Sequence, residues 1–395
     1  MNKWEKIMFR EFLSVATLFG TGESTFFSHE PPPCRKVDII LRLSFFSSIL
    51  PVTIELEQPP TKSVKMHVVY KDIEGDMAKK LEDLFGLASG GLIEVNPGKV
   101  LIPPKFKSYA QRIIDMEVRP DDVWLVSYPR TGSTWTQEMV WLIGNDLDFQ
   151  GAKMLQQLRA PVLELTALLG NDTSGVIKLI GETVEIVESM PSPRFIKTHL
   201  PLELLPKQLD VVKPKIVYVC RNPKDMCVSY YHYCRLMHDL HGSFNDFCEL
   251  FINDSVPMGP IWNHIMGFWN RRNDPNVLFL RYEELKKDLK SVVLRCAKFL
   301  NKELNEEEVQ AVLHHLSFES MKNNPAVNLE PVLEYRKTAL LNQMTEDKVT
   351  CLQAPSFIRK GVTGDWANHM NPEIAARFDE WIKTNLEGTG LNFQV

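Results

Sequence analysis

The segment Tyr128-Pro129-Arg130-Thr131-Gly132-Ser133-Thr134-Trp135 places a glycine among three hydroxyls and a cation, directly after an apolar run and before apolar residues at helical spacing (Trp135, Met139, Leu142, Ile143). That composition suits an anion cradle. Gly132 lets the backbone approach an anion closely, and the N–H groups at the helix start point at it. The hydroxyls of Thr131, Ser133 and Thr134 can donate further hydrogen bonds, and Arg130 adds a full positive charge. The loop is shorter than the GxxxxGK[ST] nucleotide loop and lacks its lysine, which weakens a kinase reading.

Three further segments carry chemistry. Arg194-Phe195-Ile196-Lys197-Thr198-His199-Leu200-Pro201 delivers Lys197 and His199 to the carboxyl end of a strand, the edge at which open α/β sheets bind ligands. His199 is a candidate base, because an imidazole with a pKa of about 6.5 can take a proton from an attacking hydroxyl. Tyr218-Val219-Cys220-Arg221-Asn222-Pro223-Lys224-Asp225 is followed by Ser229-Tyr230-Tyr231-His232-Tyr233. Pro223 can start a helix that carries Ser229 two turns in, so Arg221 and Ser229 could both reach a second phosphate. Phe357-Ile358-Arg359-Lys360-Gly361-Val362-Thr363-Gly364-Asp365-Trp366 pairs two cations with two glycines. Alone, each segment admits a plainer reading: a polar turn, a structural histidine, a surface pair of Arg221 with Asp225, or two solvated cations.

These residues need a scaffold that brings strand ends together. From residue 121 onward, short β-branched runs alternate with helical patterns, the signature of an α/β domain with a mostly parallel central sheet flanked by helices. The predicted strands are Val123-Trp124-Leu125-Val126-Ser127-Tyr128, Phe195-Ile196-Lys197-Thr198, Lys215-Ile216-Val217-Tyr218-Val219 and Val277-Leu278-Phe279-Leu280. Leu285, Leu289, Val292, Val293, Cys296, Phe299 and Leu300 form one helical stripe for packing on the sheet. A last helix is predicted from Asn371 as N-cap and Pro372 as first residue, burying Ile374, Phe378, Trp381 and Ile382 and ending at Gly388.

The 395 residues, 44% hydrophobic and 24% charged, with a formal net charge of -5, exclude a basic nucleic-acid footprint and leave room for one large domain. Residues 1–65 show no sustained period and read as an irregular N-terminal extension, with the functional domain over 66–395. The apolar stretch 37–56 holds Arg42 and Pro51, so it lacks the unbroken run of about 20 residues that a membrane span needs. Seven cysteines without a CxxC pair point to reduced thiols and a cytoplasmic protein. His232, His238 and His241 lack the carboxylates or thiols of a metal site and read as solvated helix-face histidines.

In this order, the four segments resemble the cytosolic sulfotransferase family, whose pattern reads YPKSGTTW, KTHLP, RNPKD with SYYH, and RKGxxGDW. The resemblance runs from about residue 121 to the C-terminus. Asn323-Asn324-Pro325-Ala326-Val327-Asn328 and the WLIGNDLDF run look closest to the arthropod branch, which includes an insect retinol dehydratase. It implies a P-loop-like loop from Arg130 to Trp135 around the 5′-phosphosulfate of 3′-phosphoadenosine 5′-phosphosulfate, which leaves as 3′,5′-adenosine bisphosphate. It also implies Trp135 and Tyr282 beside adenine, with Ser317, Phe318 and Met321 covering it. Arg221, Ser229, Arg359, Lys360 and Gly361 match the 3′-phosphate ligands, His199 the base, and Lys197 a contact to the sulfuryl group. The family needs no metal and acts on small acceptors such as phenols, alcohols, steroids or retinoids.

Three departures stand out. Arg130 replaces the family's usual lysine; arginine keeps its proton at a pKa above 12, so charge stabilisation survives while proton donation does not. Val162 and Leu165 stand where phenol-type members have phenylalanines, and Tyr233 supplies one polar tip to the pocket. The KxxxTVxxxE dimer signature is missing, with Ala367, Asn371, Pro372 and Ala376 at its positions. The competing readings are a dehydratase acting through a transient sulfate ester, a non-catalytic nucleotide or lipid binder, and a nucleotide kinase.

Overall fold

The computed structural model describes residues 67–85, 91–170, 177, 180–238, 240–341 and 357–393, and over them the chain forms two sheets. Strands β1 (Val69–Asp72), β2 (Ile93–Asn96) and β3 (Val100–Ile102) pair antiparallel, with helix α1 (Gly75–Phe85) between the first two. This small sheet is absent from the strands predicted above. Its strands are three or four residues long, too short to show a period in the sequence.

The second sheet consists of β4 (Val123–Val126), β5 (Phe195–Thr198), β6 (Lys215–Cys220) and β7 (Val277–Arg281), all parallel, in the order β5-β4-β6-β7. Alternate side chains enter two separate cores. Trp124, Val126, Ile196, Ile216 and Tyr218 pack on one face, and Val123, Leu125, Phe195, Val217 and Val219 on the other. Burial on both faces explains why these strands read as unbroken apolar runs. Arg194 and Asp122, 1% and 0% exposed, lock the start of β5 beside β4 through Nε–Oδ1 at 2.7 Å and Nη2–Oδ2 at 2.6 Å. Removing one partner of such a buried pair costs about 3–5 kcal/mol.

Helix α2 (Ser133–Gly144) follows β4; the spacing of Trp135, Met139, Leu142 and Ile143 predicts an amphipathic helix, but the helix is buried on nearly every side from Thr136 to Ile143. Its polar residues reach protein partners, apart from Gln137 Oε1, which is buried without one. Gln137 donates to the Ala160 carbonyl at 2.5 Å, and Glu138 accepts from Gln156 and His315, each at 2.8 Å, and from Arg159. Helices α3 (Pro223–Met237), α4 (Phe244–Ile252) and α5 (Ile261–Trp269) follow β6, and Asn222 caps α3 by accepting from Lys224 N at 2.9 Å.

The predicted stripe after β7 is two helices, α6 (Tyr282–Lys287) and α7 (Leu289–Phe299). Asp288 separates them, because its side chain caps α7 by accepting from Ser291 N at 3.0 Å. Helices α8 (Glu306–His315) and α9 (Phe318–Asn323) come next, and α10 (Pro372–Leu386) begins as predicted with Asn371 accepting from Ile374 N at 2.8 Å. Ile374 and Phe378 are buried, while Trp381 and Ile382 are half-buried against the same core.

Among the described residues no helix is long and apolar enough to cross a membrane. Cys220, Cys227, Cys234, Cys248 and Cys296 are buried and unbridged. Cys34, Cys351, the stretch 37–56 and the extension 1–65 lie outside the described residues.

Candidate active site

Because the four strands run parallel, the residues leaving their carboxyl ends share one edge. Arg130, His199, Arg221 and Tyr282 follow β4, β5, β6 and β7 in turn, and all line a cavity of about 650 Å³.

The loop after β4 is shaped by its backbone. Gly132 caps α2 at φ +92° with no side chain on the helix's first N–H groups, and a Cβ there would lie 2.5 Å from the Tyr282 ring. Ser133, Thr134 and Trp135 face the cavity. Thr131 does not. Its hydroxyl is fully buried and donates to the Tyr128 carbonyl at 2.9 Å, which corrects its assignment as a side-chain anion ligand. A short polar side chain one residue before the turn finds a backbone acceptor more readily than the cavity.

Arg130 adopts φ +69°. Its guanidinium carbon lies 4.6 Å from the centroid of the Phe357 ring and 5.2 Å from that of Tyr233. Nε donates to Ser229 Oγ at 3.2 Å and Nη2 to the Phe357 carbonyl at 3.0 Å. Burial pulls its pKa down to about 10, which leaves it cationic at neutral pH.

Lys197 and His199 reach the cavity from β5 and the residue just beyond it. His199 Nδ1 donates to the Ser127 carbonyl at 2.7 Å, so the tautomer that this bond requires leaves Nε2 with its lone pair. Burial, with help from the Lys197 charge, holds the imidazole well below its ordinary range and therefore neutral. Burial also pulls Lys197 down to about 7, opposed by Glu164. Glu164, which does not line the cavity but holds the end of β5 behind it, is a residue that the sequence reading missed. It is 0% exposed, and its carboxylate accepts from Thr198 Oγ1 at 2.8 Å and His199 N at 2.7 Å. Burial raises its pKa to about 7 against the bonds from His199 N and Thr198. A lone carboxyl group in the apolar run Pro161-Val162-Leu163-Glu164-Leu165 was the signal available, since a buried polar group must find partners.

Arg221 stacks 4.3 Å from the Tyr282 centroid and donates from Nη2 to the Val362 carbonyl at 2.9 Å, while its buried Nε has no partner. Asp225 does not pair with Arg221. It accepts from Gly364 N at 2.6 Å and Trp366 N at 3.0 Å, tying the 357–366 loop to α3. Within that loop Asp365 accepts from Arg359 at 2.7 Å and Lys360 at 2.8 Å. Burial opposes its ionisation, but these bonds outweigh burial and hold it well below the usual carboxylate range. Gly361, at φ +63°, lies under Phe318, whose ring a Cβ would meet at 2.4 Å.

The aromatic part is built on the second core. Trp135 and Tyr282 meet edge to face at 5.9 Å, and Trp135 Nε1 donates to the Leu316 carbonyl at 2.8 Å. Ser317 caps α9, which presents Phe318 and the buried Met321 to the cavity. The apolar part draws on other elements: Leu81 and Phe85 of α1, Val162, Leu165, Ile180, Met258 and Val332, with Tyr233 at its side. Val162 is placed by a parallel bridge to Lys197. Every residue of the sequence-predicted site except Thr131 lines this one cavity. The dismissed histidine trio is only partly solvated: His232 buries both ring nitrogens without a hydrogen-bond partner, and His238 is half-buried. Among the described residues no three His, Cys, Asp or Glu side chains are placed to hold a metal ion.

A family model for the sulfotransferase domain matches residues 120–390. The chain belongs to the sulfotransferase family. Luciferin sulfotransferase of Photinus pyralis is 41% identical over 297 residues, 72% of this chain and 77% of its own length. Human sulfotransferase 1E1 is 35% identical over 75% of this chain and 94% of its own. A retinol dehydratase solved in complex with retinol and PAP superposes with a TM-score of 0.74 at 32% identity, covering 83% of this chain and 99% of its own. The protein is thus a sulfotransferase that uses 3′-phosphoadenosine 5′-phosphosulfate. This sulfotransferase's own cavity fits such a donor. It combines an uncapped helix start, an orphaned buried guanidinium nitrogen, two glycines where a Cβ would fill the space, and a Trp–Tyr slot for a flat base.

Proposed function

We propose that the enzyme transfers a sulfuryl group to a hydroxyl or amine of a small, largely apolar acceptor, with His199 as the base. The observation that carries this reading is the hydrogen bond from His199 Nδ1 to the Ser127 carbonyl, which leaves Nε2 free to accept a proton beside the cavity. Bound 3′-phosphoadenosine 5′-phosphosulfate supplies the sulfuryl group and a stable bisphosphate leaving group.

The chain's residues then divide the work. Backbone N–H groups from Thr131 to Trp135, with the hydroxyls of Ser133 and Thr134, hold the 5′-phosphosulfate at the start of α2. Arg221, Ser229, Arg359, Lys360 and Gly361 hold the 3′-phosphate, with Asp365 fixing the two cations that precede Gly361. Trp135 and Tyr282 clamp the adenine while Ser317, Phe318 and Met321 cover it. Arg130 and Lys197 supply positive charge where negative charge develops, which is the largest contribution that fixed groups make to such a transfer. Leu81, Phe85, Val162 and Leu165 exclude water from the acceptor and Tyr233 gives it one polar contact. The reading takes 66–395 as the catalytic domain and the cytoplasm as its compartment, where buried, unbridged thiols stay reduced.

The test is transfer from labelled donor to a panel of phenols, aliphatic alcohols, steroids and retinol. Wild type should label at least one acceptor, and His199→Ala should lose about 10²-fold or more in kcat while binding 3′,5′-adenosine bisphosphate normally. Full activity in the variant would remove His199 from the mechanism. A second reading, dehydration through a transient sulfate ester, draws on the apolar lining and on the likeness to retinol dehydratase. Release of free sulfate with an anhydro product from an allylic alcohol would select it.

A further inference from the structure

We propose that His315 is a positioning residue for the adenine of the donor: bonded to Glu138, it fixes the turn at residues 316–318 against Trp135 before the nucleotide binds. This rests on the functional reading above, in which Trp135, Tyr282, Ser317, Phe318 and Met321 surround the base.

Two tethers run from one helix to two consecutive residues. On α2, Trp135 Nε1 donates to the Leu316 carbonyl at 2.8 Å, and Glu138 Oε1 accepts from His315 Nε2 at 2.8 Å. Residues three apart share a helix face, so both bonds meet the same short stretch at the end of α8. That stretch runs directly into the proposed base cover. Ser317 caps α9 by accepting from Ser320 N at 3.2 Å, and α9 presents Phe318 and Met321 to the cavity. One bond alone would leave the turn free to rotate about it; the second removes that freedom. Neither His315 nor Glu138 lines the cavity, so both act through the residues they hold.

Glu138 is a firm anchor for this bond. Its side chain is 0% exposed, and its other oxygen, Oε2, accepts from Gln156 at 2.8 Å and from Arg159. The same Gln156 amide donates to the Thr134 carbonyl at 3.1 Å, inside the phosphate loop. Burial opposes ionisation of Glu138, but the bonds from His315, Arg159 and Gln156 outweigh burial and hold the carboxyl below its usual range. Of these three donors, Gln156 and Arg159 belong to the segment that leads to Val162 and Leu165, and His315 alone adjoins the base cover. Its ring also meets Phe149 edge to face at 5.5 Å, which fixes the imidazole itself.

The experiment uses the full chain and two nucleotides, 3′,5′-adenosine bisphosphate and guanosine 3′,5′-bisphosphate, which carry the same phosphates and differ only in the base. Calorimetry gives both affinities for wild type, His315→Leu and His315→Gln; the glutamine amide can still donate to Glu138. Wild type should prefer the adenine nucleotide by about tenfold or more. His315→Leu should lose about tenfold in affinity for the adenine nucleotide and less than about twofold for the guanine one, and His315→Gln should recover most of that loss. Equal losses for both nucleotides, or an unchanged preference, would overturn the proposal and leave His315 a support of the fold alone. Should His315→Leu fail to fold, hydrogen exchange of wild type decides. The amides of Leu316, Ser317 and Met321, bonded to the Val312, His314 and Ser317 carbonyls, should be protected before nucleotide is added. Protection that arises only with nucleotide would overturn the proposal. Equal binding of the two nucleotides by wild type would strike the base clamp assumed above and this proposal with it, so the two failures show in different proteins.

Discussion

The two halves of the cavity are built in different ways. The charged half is made by backbone geometry at strand ends: a glycine at φ +92°, an uncapped helix start, and cations held by Asp365, Ser229 and loop carbonyls. The apolar half is made by side chains alone, drawn from α1, the 162–165 segment and residues as distant as Val332. Backbone-built sites tolerate almost no added atom, because the chain cannot shift without losing its hydrogen bonds. Side-chain-built pockets yield, since a neighbouring rotamer can fill part of a gap.

The largest effect should come from Gly132→Ala, which adds a Cβ 2.5 Å from Tyr282 and forces alanine into the left-handed region. A strain of about 1–2 kcal/mol weakens 3′,5′-adenosine bisphosphate binding about tenfold or more, measurable by calorimetry. Binding within twofold of wild type would erase the contrast between the halves. Leu165→Ala should do less and elsewhere: about 1 kcal/mol of lost apolar contact, a roughly fivefold rise in acceptor KM, and unchanged nucleotide affinity. The smallest effect is one of pH. Lys197, lowered to about 7, is charged below that value and loses its charge above it. The ratio of wild-type to Lys197→Met affinity for the bisphosphate should therefore fall about two- to threefold between pH 6 and 8, and a rising ratio would reverse the sign of the argument.

The same contrast decides what the amino-acid sequence reveals. Strand β5 and the Asn371-Pro372 start of α10 are legible because burial on two faces and capping chemistry are local properties. The charged half is legible because its residues sit at fixed offsets from strand ends. Thr131 misleads, since composition shows a hydroxyl but not the carbonyl it turns toward. Helix α2 misleads as well: its polar residues suggest a wet face, yet Glu138 is buried and accepts from Gln156, Arg159 and His315, the last of these 177 positions away. Glu164 and most of the apolar half depend on such long-range partners, which no local pattern encodes.

The bond from Arg130 to the Phe357 carbonyl joins residues 227 positions apart. On a ribosome adding about 5–20 residues per second, the phosphate loop emerges about 10–45 s before the segment that closes over it. During that interval the nascent chain carries its most recognisable motif with Arg130, Arg221 and Asp225 lacking their partners from 357–366. Biosynthesis must therefore run nearly to the last helix before these bonds can form, and any product that terminates before Phe357 lacks the groups that pair with Arg130, Arg221 and Asp225.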